Sequence, residues 1–265
     1  KYLLHGGFVL QGWDEVIAQG KQIAAERRFF HWELEFPEVF FDQHGRLQGD
    51  AAGFDAVIGN PPYVHSGQIS SVKPYLAQAH AAVYDGTADL YVYFYHQGVR
   101  LLRSGGRMSY IVTNKWLRAG YGEGLREFFA SSVEVEQIVD FGHAPIFPDA
   151  DVFPCIVVLR NSNDSDAPIA GRQTNICVFP REELGQVTLD AFAEKHSYTV
   201  GSQRFGREPW SLERAEVDTL MSKIKSRGTA LAQYVGEKPY RGVVTGLNEA
   251  FLINTETRDR LVDQD

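Results

Sequence analysis

Positive charge is what this chain is short of: 26 lysines and arginines stand against 34 acidic residues, a net charge of −8. That balance excludes a uniformly basic surface, so any contact with a polyanion must come from a local patch. Cysteine is scarce as well, with only Cys155 and Cys177, both set in apolar runs (FPCIVVL and NICVF). Two such thiols exclude a disulfide framework and fit a reducing, cytoplasmic compartment. The eight histidines form neither an HxxxH nor an HxH pair, so no metal site is assigned. No apolar run approaches the ~18 residues of a membrane span, and no signal peptide is visible. A Pro-Asp…Glu-x-Lys nuclease arrangement, internal repeats and low-complexity tracts are also lacking. The first residue is Lys1, and the chain reads as a piece of a longer protein.

What is there suffices for a large core: 44% of residues are hydrophobic and 12% aromatic. Residues 12–28 have helical spacing, and HWELEF alternates like a short strand. FDAVIG has the length and branching of a strand buried on both faces. Residues 64–87 read as a long polar loop with at most one helical turn, a length usually reserved for lids or binding arms. ADLYVYFYHQGVRLLRSG repeats apolar residues at three- and four-residue steps, and Gly105-Gly106 looks like its C-cap. RMSYIVTN, VEQIVDFG, FPCIVVLRN and TNICVFP read as strands, GEGLREFFASS as a helix, and residues 211–235 as mostly helical. Strands alternating with helices, then following one another, predict an α/β fold with an antiparallel edge.

The densest chemistry lies at Asn60-Pro61-Pro62-Tyr63, directly after FDAVIG. Ligands of open α/β sheets bind beyond the carboxyl ends of such strands. The pyrrolidine rings fix φ at Pro61 and Pro62, and Asn60 is held toward extended backbone because it precedes proline. The Asn60 side-chain oxygen and the Pro61 carbonyl can therefore be aimed with little residual freedom. Together they suit the two N–H hydrogens of a planar amino group such as the exocyclic amine of adenine. Accepting both favours pyramidalisation and turns the nitrogen lone pair toward an incoming methyl group. Tyr63 would stack on the ring, a contact worth roughly 1–3 kcal/mol. Taken alone, the four residues could also be an ordinary turn; the strand before them favours the chemical reading. Lys73, Lys115 and Arg118 are candidate phosphate contacts, with Arg100, Arg103 and Arg107 behind them. GYGEG, at Gly120, Gly122 and Gly124, follows a late strand and opens a helix, so it reads as a cap region and not as a cofactor loop.

FDAVIGNPPY resembles motif IV of the gamma-class N6-adenine DNA methyltransferases. The order FFHWELEFPEVFF, NPPYV, ADLYVYFYHQGVRLLRSGGRMSYIVTNKWL, YRGVVTGLNEAFLI is similar to that of the type IIG restriction-modification enzymes. The resemblance covers nearly the whole chain. It implies an incomplete Rossmann-like, doubly wound methyltransferase sheet over residues 1–205, lacking the glycine loop that cradles the cofactor. A helical connector at 206–237 and the start of a target-recognition domain at 238–265 would follow. The implied activity is site-specific methylation of adenine N6 in DNA of a bacterial or archaeal cytoplasm, with S-adenosylmethionine as donor. Asn60, Pro61 and Tyr63 would be catalytic, and Phe147 would meet a flipped base edge-on, with Phe153 as its rival. Glu35, Phe36 and Pro62 would contact the cofactor, Glu33 and Glu38 competing for the acidic role. Double-stranded DNA is the implied partner, with base flipping and fused or separate nuclease and specificity domains. Without the glycine loop, this stretch by itself is expected to bind the cofactor poorly. Two rival readings remain: a protein-glutamine methyltransferase, which also grips a planar amide, and a non-catalytic DNA-binding or specificity component with a methylase-like fold.

Overall fold

A computed structural model describes residues 13–142, 144, 146–147, 152–162 and 171–236, with isolated positions at 255, 258 and 260. The chain divides into two compact units, Lys1–Arg214 and Ala215–Asp265. The first opens with α1 (Asp14–Arg27), a solvated surface helix that interrupts its apolar spacing at Gly20.

HWELEF is not a strand. Two single-turn helices stand there, α2 (Trp32–Glu35) and α3 (Pro37–Phe40), the second started by proline at its first position. Helical spacing brings Trp32 and Phe36 onto one face, stacked at 6.0 Å, while Leu34 turns out to water. Both rings meet Phe54 edge-on, at 5.6 and 5.5 Å. That aromatic cluster anchors β1 (Phe54–Gly59).

The stretch after β1 is ordered, contrary to the long open loop expected from its polarity. A 3-10 segment at Ser66–Val72 runs into α4 (Lys73–Ala79), and Ile69, Leu76 and Val83 are buried in the core. Next come α5 (Tyr91–Arg100) and β2 (Leu102–Thr113). Gly105 and Gly106 lie inside β2 and not at a helix C-cap. They form a bulge against β1, where the pairing jumps from Phe54↔Leu102 to Ala56↔Arg107. Gly105 takes φ +74°, and a Cβ at Gly106 would come within 2.8 Å of the Phe54 carbonyl.

The remainder alternates α6 (Glu123–Ser132), β3 (Val133–Asp140), β4 (Pro154–Asn161), β5 (Gln173–Val178), α7 (Leu189–His196) and β6 (Tyr198–Gly201). The six strands form one mixed sheet in the order β1-β2-β4-β3-β5-β6. β1 and β2 are parallel, as are β3 and β5; β4 runs against both its neighbours, and β6 runs against β5. One antiparallel strand is therefore internal and another is at an edge. Successive residues of β3 and β5 bury on opposite faces: Ile138 and Ile176 join the core of Tyr91, Tyr95, Trp116 and Phe129, whereas Val139 and Cys177 join Phe141, Phe179 and Phe192. Both faces are thus covered, as in a doubly wound sheet. Both cysteines are free and buried. The second unit contributes α8 (Ala215–Arg227) and α9 (Leu231–Val235). The segment YRGVVTGLNEAFLI lies outside the described residues. Among those described, no helix is long and apolar enough to cross a membrane.

Candidate active site

Parallel strands β1 and β2 end side by side, and β3 ends on the same rim, where β4 begins. Asn60–Tyr63 leaves the tip of β1 on that rim. The route is fixed from both sides. Gly59 passes over the Tyr110 ring, where a Cβ would sit 3.1 Å from a ring carbon. Beyond the motif, Leu90 donates its N–H to the Val64 carbonyl (3.0 Å), and Ser66 donates to Asp89 Oδ1 (3.1 Å). The motif is tied to the start of α5 within a few residues.

Within this frame the four side chains divide sharply. Pro61 is buried; Asn60 and Pro62 are exposed. Neither the Asn60 carboxamide nor the Pro61 carbonyl has a hydrogen-bond partner among the described residues. Tyr63 is half-buried, and its hydroxyl donates to the Ile111 carbonyl at 3.1 Å. Burial, with Cys155 adding a smaller effect, pushes that phenol up to about 12. It stays neutral and works as a fixed ring, not as a base. Phe147 meets Tyr63 at 6.2 Å with the planes at 62°, so the two rings form a corner. Phe153 does not share it: its carbonyl accepts the Asn114 N–H (2.7 Å), and its side chain lines another cleft.

Asn60, Pro61 and Pro62 border a groove of about 470 Å³ that runs along β1 toward α5, with Trp32, Phe94 and Gln97 on its walls. Neither Glu35 nor Phe36 lines it. Glu35 is exposed on α2 and Phe36 belongs to the Trp32–Phe54 cluster, while Trp32 itself lines the groove. Glu33 and Glu38 border a separate depression beside Phe41 and Gln48. Phe94 and Gln97 were missed because ADLYVYFYHQGV is apolar on most sides; only their spacing of three marks a shared face.

Of the cations, Lys73 donates one Nζ–H to the Gly86 carbonyl (2.7 Å). Arg103 pairs with Asp55 and Arg107 with Glu136, both toward the opposite rim. Lys115 and Arg118 border a second cleft at the ends of β2 and β3, and neither charged side chain has a partner among the described residues. His65 lies 3.4 Å from Asp89. Two of the GYGEG glycines serve close packing: a Cβ on Gly122 would overlap the Trp116 carbonyl, and one on Gly124 would meet Val83 at 3.3 Å, whereas Gly120 faces open space. No cluster of three potential metal ligands occurs among the described residues.

Residues 8–147 match the Eco57I restriction-modification methylase family. The type II methyltransferase M.BstVI of Geobacillus stearothermophilus is 26% identical over 79% of this chain and 39% of its own length. M.PaeR7I of Pseudomonas aeruginosa is 28% identical over 78% of this chain and 36% of its own. Among solved structures, a type I restriction-modification methyltransferase subunit from Streptococcus thermophilus aligns at a TM-score of 0.43 with 15% identity, over 57% of this chain and 35% of that one. The chain thus spans under two-fifths of the length of these curated relatives.

Proposed function

The chain belongs to the Eco57I restriction-modification methylase family, and from that premise we propose that it carries the catalytic half of a DNA methyltransferase acting on the N6 amine of adenine. One observation carries the reading: Asn60 and Pro61 follow one another directly after the tip of β1, and the Asn60 carboxamide and the Pro61 carbonyl both lack a protein partner among the described residues. Two acceptors held by proline geometry match the two hydrogens of one amine. A target adenine turned out of the duplex would enter the Tyr63–Phe147 corner, stacking on one ring with its edge against the other. The amine nitrogen takes the methyl group and releases one proton to solvent. Positioning and fixed dipoles supply the rate, with no strong base needed.

S-adenosylmethionine would provide the methyl group on its sulfonium. The apolar walls of the groove (Trp32, Pro62 and Phe94) suit the flat face of its adenine, and Gln97 offers an amide to the ring edge. No carboxylate among the described residues lines this groove, so recognition of the sugar hydroxyls and the amino-acid end falls to other groups. Glu33 and Glu35 lie on the same helical turn as Trp32. Isolated, this stretch is expected to hold the cofactor weakly. A reaction of this kind places the protein in the cytoplasm, beside nuclease and specificity partners. The protein-glutamine reading fits the same acceptors but not the family.

Asn60→Ala tests the proposal. In the full chain it removes one acceptor and leaves the fold intact, since nothing internal depends on that side chain. Tritium transfer from labelled cofactor to DNA should fall at least 10²–10³-fold, as for other single preorganised groups, while gel-shift affinity for the duplex stays within about twofold. Unchanged transfer would rule out the mechanism.

A further inference from the structure

The second cleft, of about 310 Å³, opens on the same rim two strands along from the motif. Its lining includes the half-buried Asn114 and Asp140, the rings of Phe153 and the buried Trp210, and the exposed Lys115 and Arg118. Asn114 donates Nδ2–H to Asp140 Oδ1 at 2.8 Å, and the Gly142 N–H donates to the same oxygen at 3.0 Å. Those two bonds orient the pair and leave the Asn114 side-chain oxygen and the second Asp140 oxygen without partners among the described residues. The cleft therefore presents acceptors inside and cations outside.

The turn bearing the cations is braced from below. Arg126 is almost fully buried, and its Nη1 donates to the Trp116 carbonyl (2.6 Å) and the Ala119 carbonyl (2.9 Å), while Nε donates to the Arg207 carbonyl (2.9 Å). The Trp210 N–H holds the Leu117 carbonyl at 2.8 Å. A buried guanidinium with its donors committed to loop carbonyls fixes where Lys115 and Arg118 emerge. Surface lysines kept only for solubility require no such support.

We propose that this cleft receives one nucleotide of the DNA strand close to the target adenine, its phosphate on Lys115 and Arg118 and an amino-bearing base edge on Asn114 and Asp140. Sign and size select the ligand. A bare phosphate would be repelled by Asp140 on entering, and a nucleobase without an amine would leave both free acceptors unmatched. The volume admits a single base. Neighbouring strands lie about 4.8 Å apart, so the ends of β2 and β4 stand roughly 5–10 Å from Asn60, within one or two nucleotides of the target. This proposal rests on the DNA-methylation reading and adds a sequence-reading position to it.

The test uses the full chain and a duplex carrying its methylation site. Lys115→Ala with Arg118→Ala should lower the slope of log K against log [salt] by about one or more, the signature of lost phosphate contacts. Bases within three positions of the target are then replaced singly by amino-free counterparts (purine for adenine, hypoxanthine for guanine). One position should lose about tenfold in affinity, as for loss of a paired base contact. That loss should disappear in Asn114→Ala, and in Asp140→Asn should the alanine variant fail to fold. An unchanged salt slope overturns the proposal. A lowered slope with no amine-dependent position also overturns it, leaving a plain phosphate contact. Asn60→Ala should keep both binding readouts while losing methyl transfer, so failure of the catalytic reading shows separately.

Discussion

The two rims of the sheet carry similar side chains in opposite conditions. On the rim where β1 and β2 begin, charges are matched: Arg103 with Asp55, Arg107 with Glu136 in a forked pair, and Arg160 near Glu134 at 3.8 Å. On the rim where those strands end, the Asn60 carboxamide, the Pro61 carbonyl and the Lys115 and Arg118 side chains have no partner among the described residues. A chain with net charge −8 has acids enough to neutralise both. It neutralises one and leaves the other open. Exposed pairs contribute little to stability, about 0–1 kcal/mol each. The lesson of the contrast is therefore placement: uncommitted polar groups on the carboxyl rim mark where a ligand supplies the missing partners.

That contrast can be broken by experiment. Asn60→Ala should cost methyl transfer two to three orders of magnitude, while Arg107→Ala on the opposite rim leaves it unchanged; equal losses in radiolabel transfer would erase the distinction. Tyr63→Ala removes the stacking ring and should weaken the extruded-base complex by about tenfold or more, read by the fluorescence of 2-aminopurine at the target position. Tyr63→Phe keeps the ring and gives up only the bond to the Ile111 carbonyl, so its fluorescence should match the parent and its stability should fall by about 1 kcal/mol. Should the phenylalanine variant behave like alanine in the fluorescence assay, the hydroxyl and not the ring is what matters.

A subtler effect comes from beneath α5. His80 and His96 share a hydrogen bond between their Nδ1 atoms at 2.8 Å. Burial, reinforced by His80 and Arg100, pulls His96 down to about 4, and burial lowers His80 as well. Both rings are therefore neutral in the fold, whereas in the unfolded chain they titrate near 6.5. Their contribution is fully present above that value and is lost as pH falls from about 6.5 toward 4. Urea midpoints measured from pH 7.5 to 5 should decline, and His96→Gln should flatten the decline; identical slopes in parent and variant would remove the pair from the account. The smallest effect is expected at Arg160→Ala, within about 0.5 kcal/mol in the same urea assay and with no change in DNA affinity.

Much of this was readable from the chain. The runs AVIG, YIVT, QIVD, CIVVL and NICV gave strands because branched apolar residues in short runs have few alternatives. Asn60–Tyr63 was readable because two adjacent prolines leave the backbone almost no choice. Other features depended on partners far away in sequence. The insertion of β4 between β2 and β3 is a long-range pairing with no local sign. HWELEF alternates as a strand would, yet helical spacing also joins Trp32 to Phe36, and the Phe54 ring decided between the two. Gly105-Gly106 looks like a helix stop until the close approach of the Phe54 carbonyl reveals a bulge. Residues 64–87 are polar on average, but Ile69, Leu76 and Val83 recur at sevens and reach the core. The groove walls Trp32 and Phe94 come from separate helices, a meeting that no spacing rule records.

Ile58 is 83% exposed near the end of β1, which buries none of its residues despite the both-faces burial its sequence predicts, and β1 has a strand neighbour on only one side among the described residues. Bare amides beside a greasy side chain are a template for whatever extended peptide arrives first. Handled by itself, the polypeptide should form concentration-dependent oligomers through this border, and Ile58→Lys should keep it monodisperse in light scattering.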